Sequence, residues 1–179
     1  MYLVILMKIL ILSDIHNDYE TLYKIVNNET FDKLIVLGDL FSYGFYSNVL
    51  NENNIIKLLK NNKNKLLLIK GNCDYNIDYE KINLHAYEIL TIPLNDKYIT
   101  ITHGNKYYKE NMPNYYGDIF ISGHTHIPSL TKEKNIIYAN PGSIGNPRFN
   151  TKKSYIIFID NKLILKTVDN EIIKEMDII

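Results

Sequence analysis

The chain has 179 residues, 46% of them hydrophobic and 22% charged, a length and balance that suit a globular protein with its own core and exclude a fibrous or disordered one. Twenty basic residues cancel twenty acidic ones, so no global field recruits long nucleic acid or an anionic membrane surface. The single cysteine, Cys73, rules out an internal disulfide and suits a reducing compartment, which points to the cytoplasm.

The apolar start, residues 1–12, is interrupted by Lys8 and lacks the basic lead and small-residue cleavage site of a signal peptide. It is also too short to span a bilayer. Residues 8–12 read instead as a buried first strand, with residues 1–6 an extra turn of strand before it. Strands over 8–12, 33–37 and 65–69 alternate with helices over 18–28 and 48–61, the second marked by Ile55, Ile56, Leu58 and Leu59 at helical spacing. That alternation is the pattern of βαβ units and a parallel sheet. From His85 onward the pattern changes to short strands over 87–92, 98–102, 119–122, 136–138, 155–159 and 163–167. Asp160-Asn161 forms the two-residue turn between the last two. One domain over residues 1–179 is expected, without linker or internal repeat.

Five apolar runs end in a residue able to bind a metal: Asp14, Asp39, Asn72, His103 and His124. In open α/β sheets the carboxyl ends of strands present loops from several strands to one crevice, so the five can share a site. Asp14 with His16, and His124 with His126, stand two apart; on backbone that stays extended, alternate side chains face one centre. Glycines beside the candidates (Gly38, Gly71, Gly104, Gly123) allow sharp turns and close approach. Carboxylate, imidazole and amide oxygen without thiolate suit hard or borderline divalent ions, leaving manganese, iron, nickel, cobalt and zinc open. Seven ligands are too many for one ion, but one carboxylate shared between two ions, assigned to Asp39, gives each a reasonable shell. Taken singly, an Asp after a strand is usually a cap or turn and a His usually structural; His85, outside the clusters, is read as structural. The coincidence of all five runs is what argues for chemistry.

These segments resemble the calcineurin-like metallophosphoesterases, specifically their small single-domain YfcE-like phosphodiesterase branch. Asp14-Ile-His16 is similar to the family's D-x-H, Gly38-Asp39 to its G-D, Gly71-Asn72 to the start of its G-N-H-[DE], His103 to its isolated histidine, and Gly123-His124-Thr125-His126 to its G-H-[TS]-H. The resemblance implies an α/β fold, a four-layer α-β-β-α sandwich of two mixed β-sheets flanked by helices. It implies two divalent ions, Mn2+ foremost with Ni2+, Fe2+, Co2+ and Zn2+ as alternatives. One would lie on Asp14, His16 and His126, the other on Asn72, His103 and His124, with Asp39 bridging. It further implies phosphodiester hydrolysis by a hydroxide bridging two ions about 4 Å apart, with Asp39, Asn72 and His103 as the catalytic residues. The segment Asn140-Pro141-Gly142-Ser143 resembles a stretch packing beside that site, where Arg148 is in reach of a substrate phosphate.

Cys73 stands where many members carry a histidine with the general-acid role, which leaves the leaving-group proton unassigned; Cys73 is a substrate contact or inert packing. A small phosphate ester is the expected substrate, with a homo-oligomer as the assembly and neither long nucleic acid nor membrane as partner. A phosphomonoesterase or nucleotide hydrolase on the same centre is the alternative. Of another class is a protein-binding scaffold of this fold, disfavoured by the complete histidine set. The fifteen tyrosines include material for a base-stacking platform, although tyrosines more often serve core or interface.

Overall fold

The computed structural model describes residues 7–42, 48–94, 96–113 and 117–178; the strand turn expected over residues 1–6 lies outside them. Strand β1 (Ile9–Leu12) is buried along its whole length. Leu10 and Leu12 pack toward the helices, while Ile9 and Ile11 pack toward a second sheet, so the run is apolar on both faces, as a central strand demands. It pairs in parallel with β2 (Lys33–Val36), which pairs in parallel with β3 (Leu66–Ile69).

Helix α1 (Tyr19–Asn28) and helix α2 (Val49–Asn61) make the two crossovers. The Asp18 side chain caps α1 by accepting from the Thr21 N–H at 3.0 Å, satisfying one of the first turn's unpaired donors. Leu22, Ile25 and Val26 of α1, with Ile55 and Leu59 of α2, bury against Leu10, Leu12, Leu34 and Val36, each such side chain stabilising the fold by roughly 1.5–3 kcal/mol. A third helix, α3 (Asn76–Ile82), was not expected; it buries Tyr79 and Ile82 in the same cluster.

The strand expected over 87–92 is divided. Strand β4 (Ala86–Tyr87) extends the first sheet beside β3, whereas β5 (Ile89–Leu94) pairs antiparallel with β6 (Lys97–Thr102) in the second. There β6 runs parallel to β7 (Ile119–Ser122), and β7 parallel to β9 (Ile136–Asn140). An unforeseen β8 (Ser129–Glu133) closes that edge antiparallel to β9. The chain then returns: β10 (Ser154–Ile159) lies antiparallel to β1, followed by β11 (Lys162–Thr167) and an unforeseen edge strand β12 (Ile172–Asp177). Asp160 and Asn161 both have left-handed backbone, φ 51° and 55°, which fits a two-residue hairpin matching the twist of its strands.

The sheets are therefore mixed, in the orders β12-β11-β10-β1-β2-β3-β4 and β5-β6-β7-β9-β8, and flanked by helices, as expected. Ile9, Ile11, Ile35 and Phe158 of the first interdigitate with Ile99, Ile101, Ile119 and Ile121 of the second. The three described helices pack on the first sheet. On the outer face of the second the Gly117 N–H donates to Thr100 Oγ1 at 3.0 Å. The parallel strands β1, β2, β3, β6 and β7 deliver their carboxyl ends to one rim of the molecule.

Candidate metal centre

Backbone hydrogen bonds tie the strand-end loops together. Asp14 and His16 donate their N–H groups to the carbonyls of Gly38 and Asp39, at 3.2 and 3.0 Å. The His124 N–H donates to Asp14 Oδ2 at 3.0 Å and so joins the sheets. Asp14, His16, Asp39, His124 and His126 all have left-handed backbone, with φ between 46° and 67°. The side chains of each i, i+2 pair converge through this conformation and not through the extended backbone expected from sequence. Non-glycine residues there are strained, and such strain clusters at functional sites. Gly38 and Gly71 meet backbone to backbone, and a Cβ on Gly123 would collide with Ser13 Oγ, so these glycines are fixed by close approach.

The structure forms two donor clusters: Asp14, His16, Asp39 and His126 in one, and Asp39, His103 and His124 in the other, each with its ligand atoms within 4.8 Å of one another. Asp39 belongs to both. Its Oδ2 lies 3.7 Å from His16 Nε2 and 3.5 Å from His103 Nε2, and its Oδ1 accepts the Cys73 N–H at 2.8 Å. Asn72 joins the second cluster, with Oδ1 3.0 Å from His103 Nε2. His85 lies in neither, exposed and edge-on to Tyr87.

Carbonyl oxygens orient two of the imidazoles. His103 Nδ1 lies 2.5 Å from Leu37 O and His126 Nδ1 2.5 Å from Asn146 O. Each carbonyl can only accept, so the proton sits on Nδ1 and the Nε2 lone pair faces the centre, the arrangement metal-ligating histidines use. Burial opposes a charged Asp39, yet His103 outweighs it and holds the carboxyl far below its usual range. Burial would likewise lower His103, but Asp39 and Asp14 raise it. His16 is lowered by burial in spite of those carboxylates.

These residues fit a divalent cation. Asp14 Oδ1 is buried without a hydrogen-bond partner, 3.1 Å from His126 Nε2 and 3.8 Å from His16 Nε2. The two imidazole Nε2 atoms face one another at 3.2 Å. A buried acceptor left unmatched and nitrogens pointing at each other are unfavourable unless a cation stands among them.

Sequence reasoning missed the residue that clamps two of the loops. Asp74, 6% exposed, accepts the Leu40 N–H at 2.7 Å through Oδ1 and the Tyr79 O–H at 2.7 Å through Oδ2, clamping the Asp39 loop to the Asn72 loop. Ser143 Oγ donates to Asp14 O at 2.7 Å, so the segment singled out at Asn140 to Ser143 does pack on the Asp14 loop. A cleft of about 660 Å³ beside the clusters is lined by His16, Asn72, Cys73, Tyr75, His126 and Arg148.

A calcineurin-like phosphoesterase superfamily domain matches residues 7–162. The chain belongs to that superfamily. Membership makes it a phosphoester hydrolase, and its two donor clusters are candidate sites for divalent metal. Phosphodiesterase YfcE of Escherichia coli K12 is 29% identical over 163 residues, covering 84% of this chain and 86% of the relative. A probable metallophosphoesterase of Methanocaldococcus jannaschii is 34% identical over 115 residues, 60% of this chain and 56% of the relative. In structure, E. coli YfcE superposes with a TM-score of 0.86 at 24% identity, covering 97% of this chain and 100% of that one. Vacuolar Protein Sorting 29 of Cryptosporidium parvum superposes with a TM-score of 0.68 at 16% identity, over 96% and 98%. Among the described residues no helix is long and apolar enough to cross a membrane.

Proposed function

We propose that this protein hydrolyses a small phosphodiester at a binuclear centre, one ion on Asp14, His16 and His126, the other on Asn72, His103 and His124, with Asp39 between them. The observation that carries this reading is Asp39 itself, a buried carboxylate common to both donor clusters. Divalent ions bound there, with Mn2+ foremost by resemblance to the family and Ni2+, Fe2+, Co2+ and Zn2+ equally compatible with the nitrogen and oxygen donors, would supply a lowered pKa for water and neutralise charge on the phosphoryl oxygens. Asn72 is exposed at the cleft, where its amide is available both to the centre and to a phosphoryl oxygen. Arg148 is exposed, lines the same cleft and forms no ion pair among the described residues. Its guanidinium is therefore available to hold the phosphate.

In the metal-free protein burial and then Asp39 push the Cys73 thiol up to about 12, and its backbone N–H donates to Asp39 Oδ1. With cysteine where an imidazole would protonate the leaving group, esters whose leaving group departs without a proton react fastest. The single cysteine supports action in the cytoplasm.

The test is turnover of bis-(p-nitrophenyl) phosphate and p-nitrophenyl phosphate by metal-stripped protein, with manganese, nickel, magnesium or nothing restored. Diester turnover returning with manganese or nickel, and absent from Asp39→Ala, is the expected result. Preference for the monoester, or metal-dependent turnover by Asp39→Ala, overturns it.

A further inference from the structure

The carbonyls that orient His103 and His126 belong to loops of different character. Leu37 O, which takes the His103 Nδ1–H, directly follows β2 and lies in the core, Leu37 being 0% exposed. Asn146 O, which takes the His126 Nδ1–H, belongs to an exposed residue that lines the Arg148 cleft. A carbonyl on an exposed loop fixes a ring only if its own backbone is held.

Ser143 holds it. The Ser143 hydroxyl, on a residue 0% exposed, accepts the Asn146 N–H at 2.7 Å and the Gly145 N–H at 3.2 Å, and donates to Asp14 O at 2.7 Å. One donated and two accepted bonds fill the capacity of a hydroxyl. Backbone bonds run alongside, from the Ile144 N–H to Ser13 O at 3.3 Å and from the Gly145 N–H to Asp14 O at 3.1 Å. A Cβ on Gly145 would stand 2.0 Å from Ile15 O, so the turn lies directly on the backbone of the Asp14 loop. Asn140 ties the start of the same turn to the loop carrying His126. Its Nδ2 donates to Gly123 O at 2.8 Å and to Thr125 Oγ1 at 3.0 Å, and its Oδ1 accepts the Gly142 N–H at 2.8 Å. The partners of Ser143 thus bear on Asp14 and His126, both in the first donor cluster, whereas those of His103 are Leu37, Asp39 and Asn72.

We propose that Ser143 is a positioning residue for one half of the centre. Its hydroxyl fixes the left-handed backbone at Asp14 and, through Asn146 O, the Nδ1-protonated form of His126, and so sets the affinity of the ion on Asp14, His16 and His126 while leaving the ion at His103 alone. The metal half of this rests on the binuclear reading, and the His126 half needs neither metal nor turnover.

The test compares Ser143→Ala with Ser154→Ala, which removes an equally buried hydroxyl that donates to Pro141 O at 2.7 Å in the same segment. The first measurement records imidazole Nδ1–H signals of metal-stripped protein by proton–nitrogen NMR. Wild type and Ser154→Ala should show slowly exchanging signals from His103 and His126; Ser143→Ala should keep the first, which also reports an intact fold, and lose the second. The second measurement titrates manganese calorimetrically into stripped protein. Ser143→Ala should weaken one of two sites by about 10–100-fold, the usual effect of losing a group that orients a ligand, and Ser154→Ala neither. A His126 signal absent from wild type, kept in Ser143→Ala, or lost equally in Ser154→Ala overturns the positioning role, as does loss of both signals together. Two manganese sites weakened alike by Ser143→Ala, or not at all, overturn it too. A single manganese site in wild type refutes the binuclear reading, while selective loss of the His126 signal leaves the positioning of His126 standing.

Discussion

Replacing Asp74 by Ala removes the acceptor that the Leu40 N–H and the Tyr79 O–H share across two loops, at 2.7 Å each. Both donors are stranded in a place that water does not reach, since Leu40 is 0% and Tyr79 5% exposed. A buried donor left unmatched costs about 1–3 kcal/mol. Burial raises the Asp74 carboxyl to about 6, so the wild-type charge carries a desolvation cost that offsets part of the loss. A net destabilisation of about 3 kcal/mol follows, which for a domain of this size lowers the melting temperature by about 6–12 °C. Thermal unfolding followed by circular dichroism on metal-stripped protein measures it free of ligand stabilisation. Tyr79→Phe alone and combined with Asp74→Ala completes a cycle, in which a coupling of about 1–2 kcal/mol is expected. An Asp74→Ala protein melting within 2 °C of wild type, or a coupling near zero, would refute the clamp (both thresholds set roughly by).

Gly123→Ala drives a Cβ into Ser13 Oγ and to 2.9 Å from Asp14 Oδ2; diesterase turnover should fall by about 100-fold or more, as expected when a ligand is displaced by an ångström, with kinetics as the check. Burial opposes the Glu29 charge, but Tyr155, Lys8 and Lys166 outweigh it and hold its carboxyl below the ordinary glutamate range. Its contribution is therefore complete above the ordinary glutamate range and lost as pH falls through the lowered folded value. Glu29→Gln should destabilise by about 2 kcal/mol at pH 7 and by progressively less in acid, read from urea unfolding across pH. In metal-stripped protein Cys73 should react with a disulfide reagent at pH 7.5 at least about 100-fold more slowly than free cysteine, because little thiolate is present.

Five of the candidate ligands were legible because each follows an apolar run: a strand of Val, Ile and Leu that stops at Asp, Asn or His announces both the element and its end. What held those ligands in place was not legible. The left-handed backbone at Asp14, His16, His124 and His126 falls on residues that nothing local marks for it, and it is set by hydrogen bonds between loops distant in sequence. Asp74 likewise acts through a partner 34 residues away, whereas Ser143, whose partner is 129 residues away, was reached only through the family resemblance of its segment. Three elements were missed for simpler reasons. Helix α3 has only seven residues, too few for a clear period. Strands β8 and β12 lie at sheet edges and are mostly exposed, so neither shows a buried alternation. The step at Glu88, where the chain leaves one sheet for the other, has neither Gly nor Pro to announce it.

Counting metal by mass spectrometry in protein loaded with manganese and desalted tests the shared carboxylate most directly. Two ions per chain are predicted for wild type, one for Asn72→Ala, and none for Asp39→Ala, because Asp39 stands in both donor clusters. One ion in wild type, or two retained by Asp39→Ala, would contradict it.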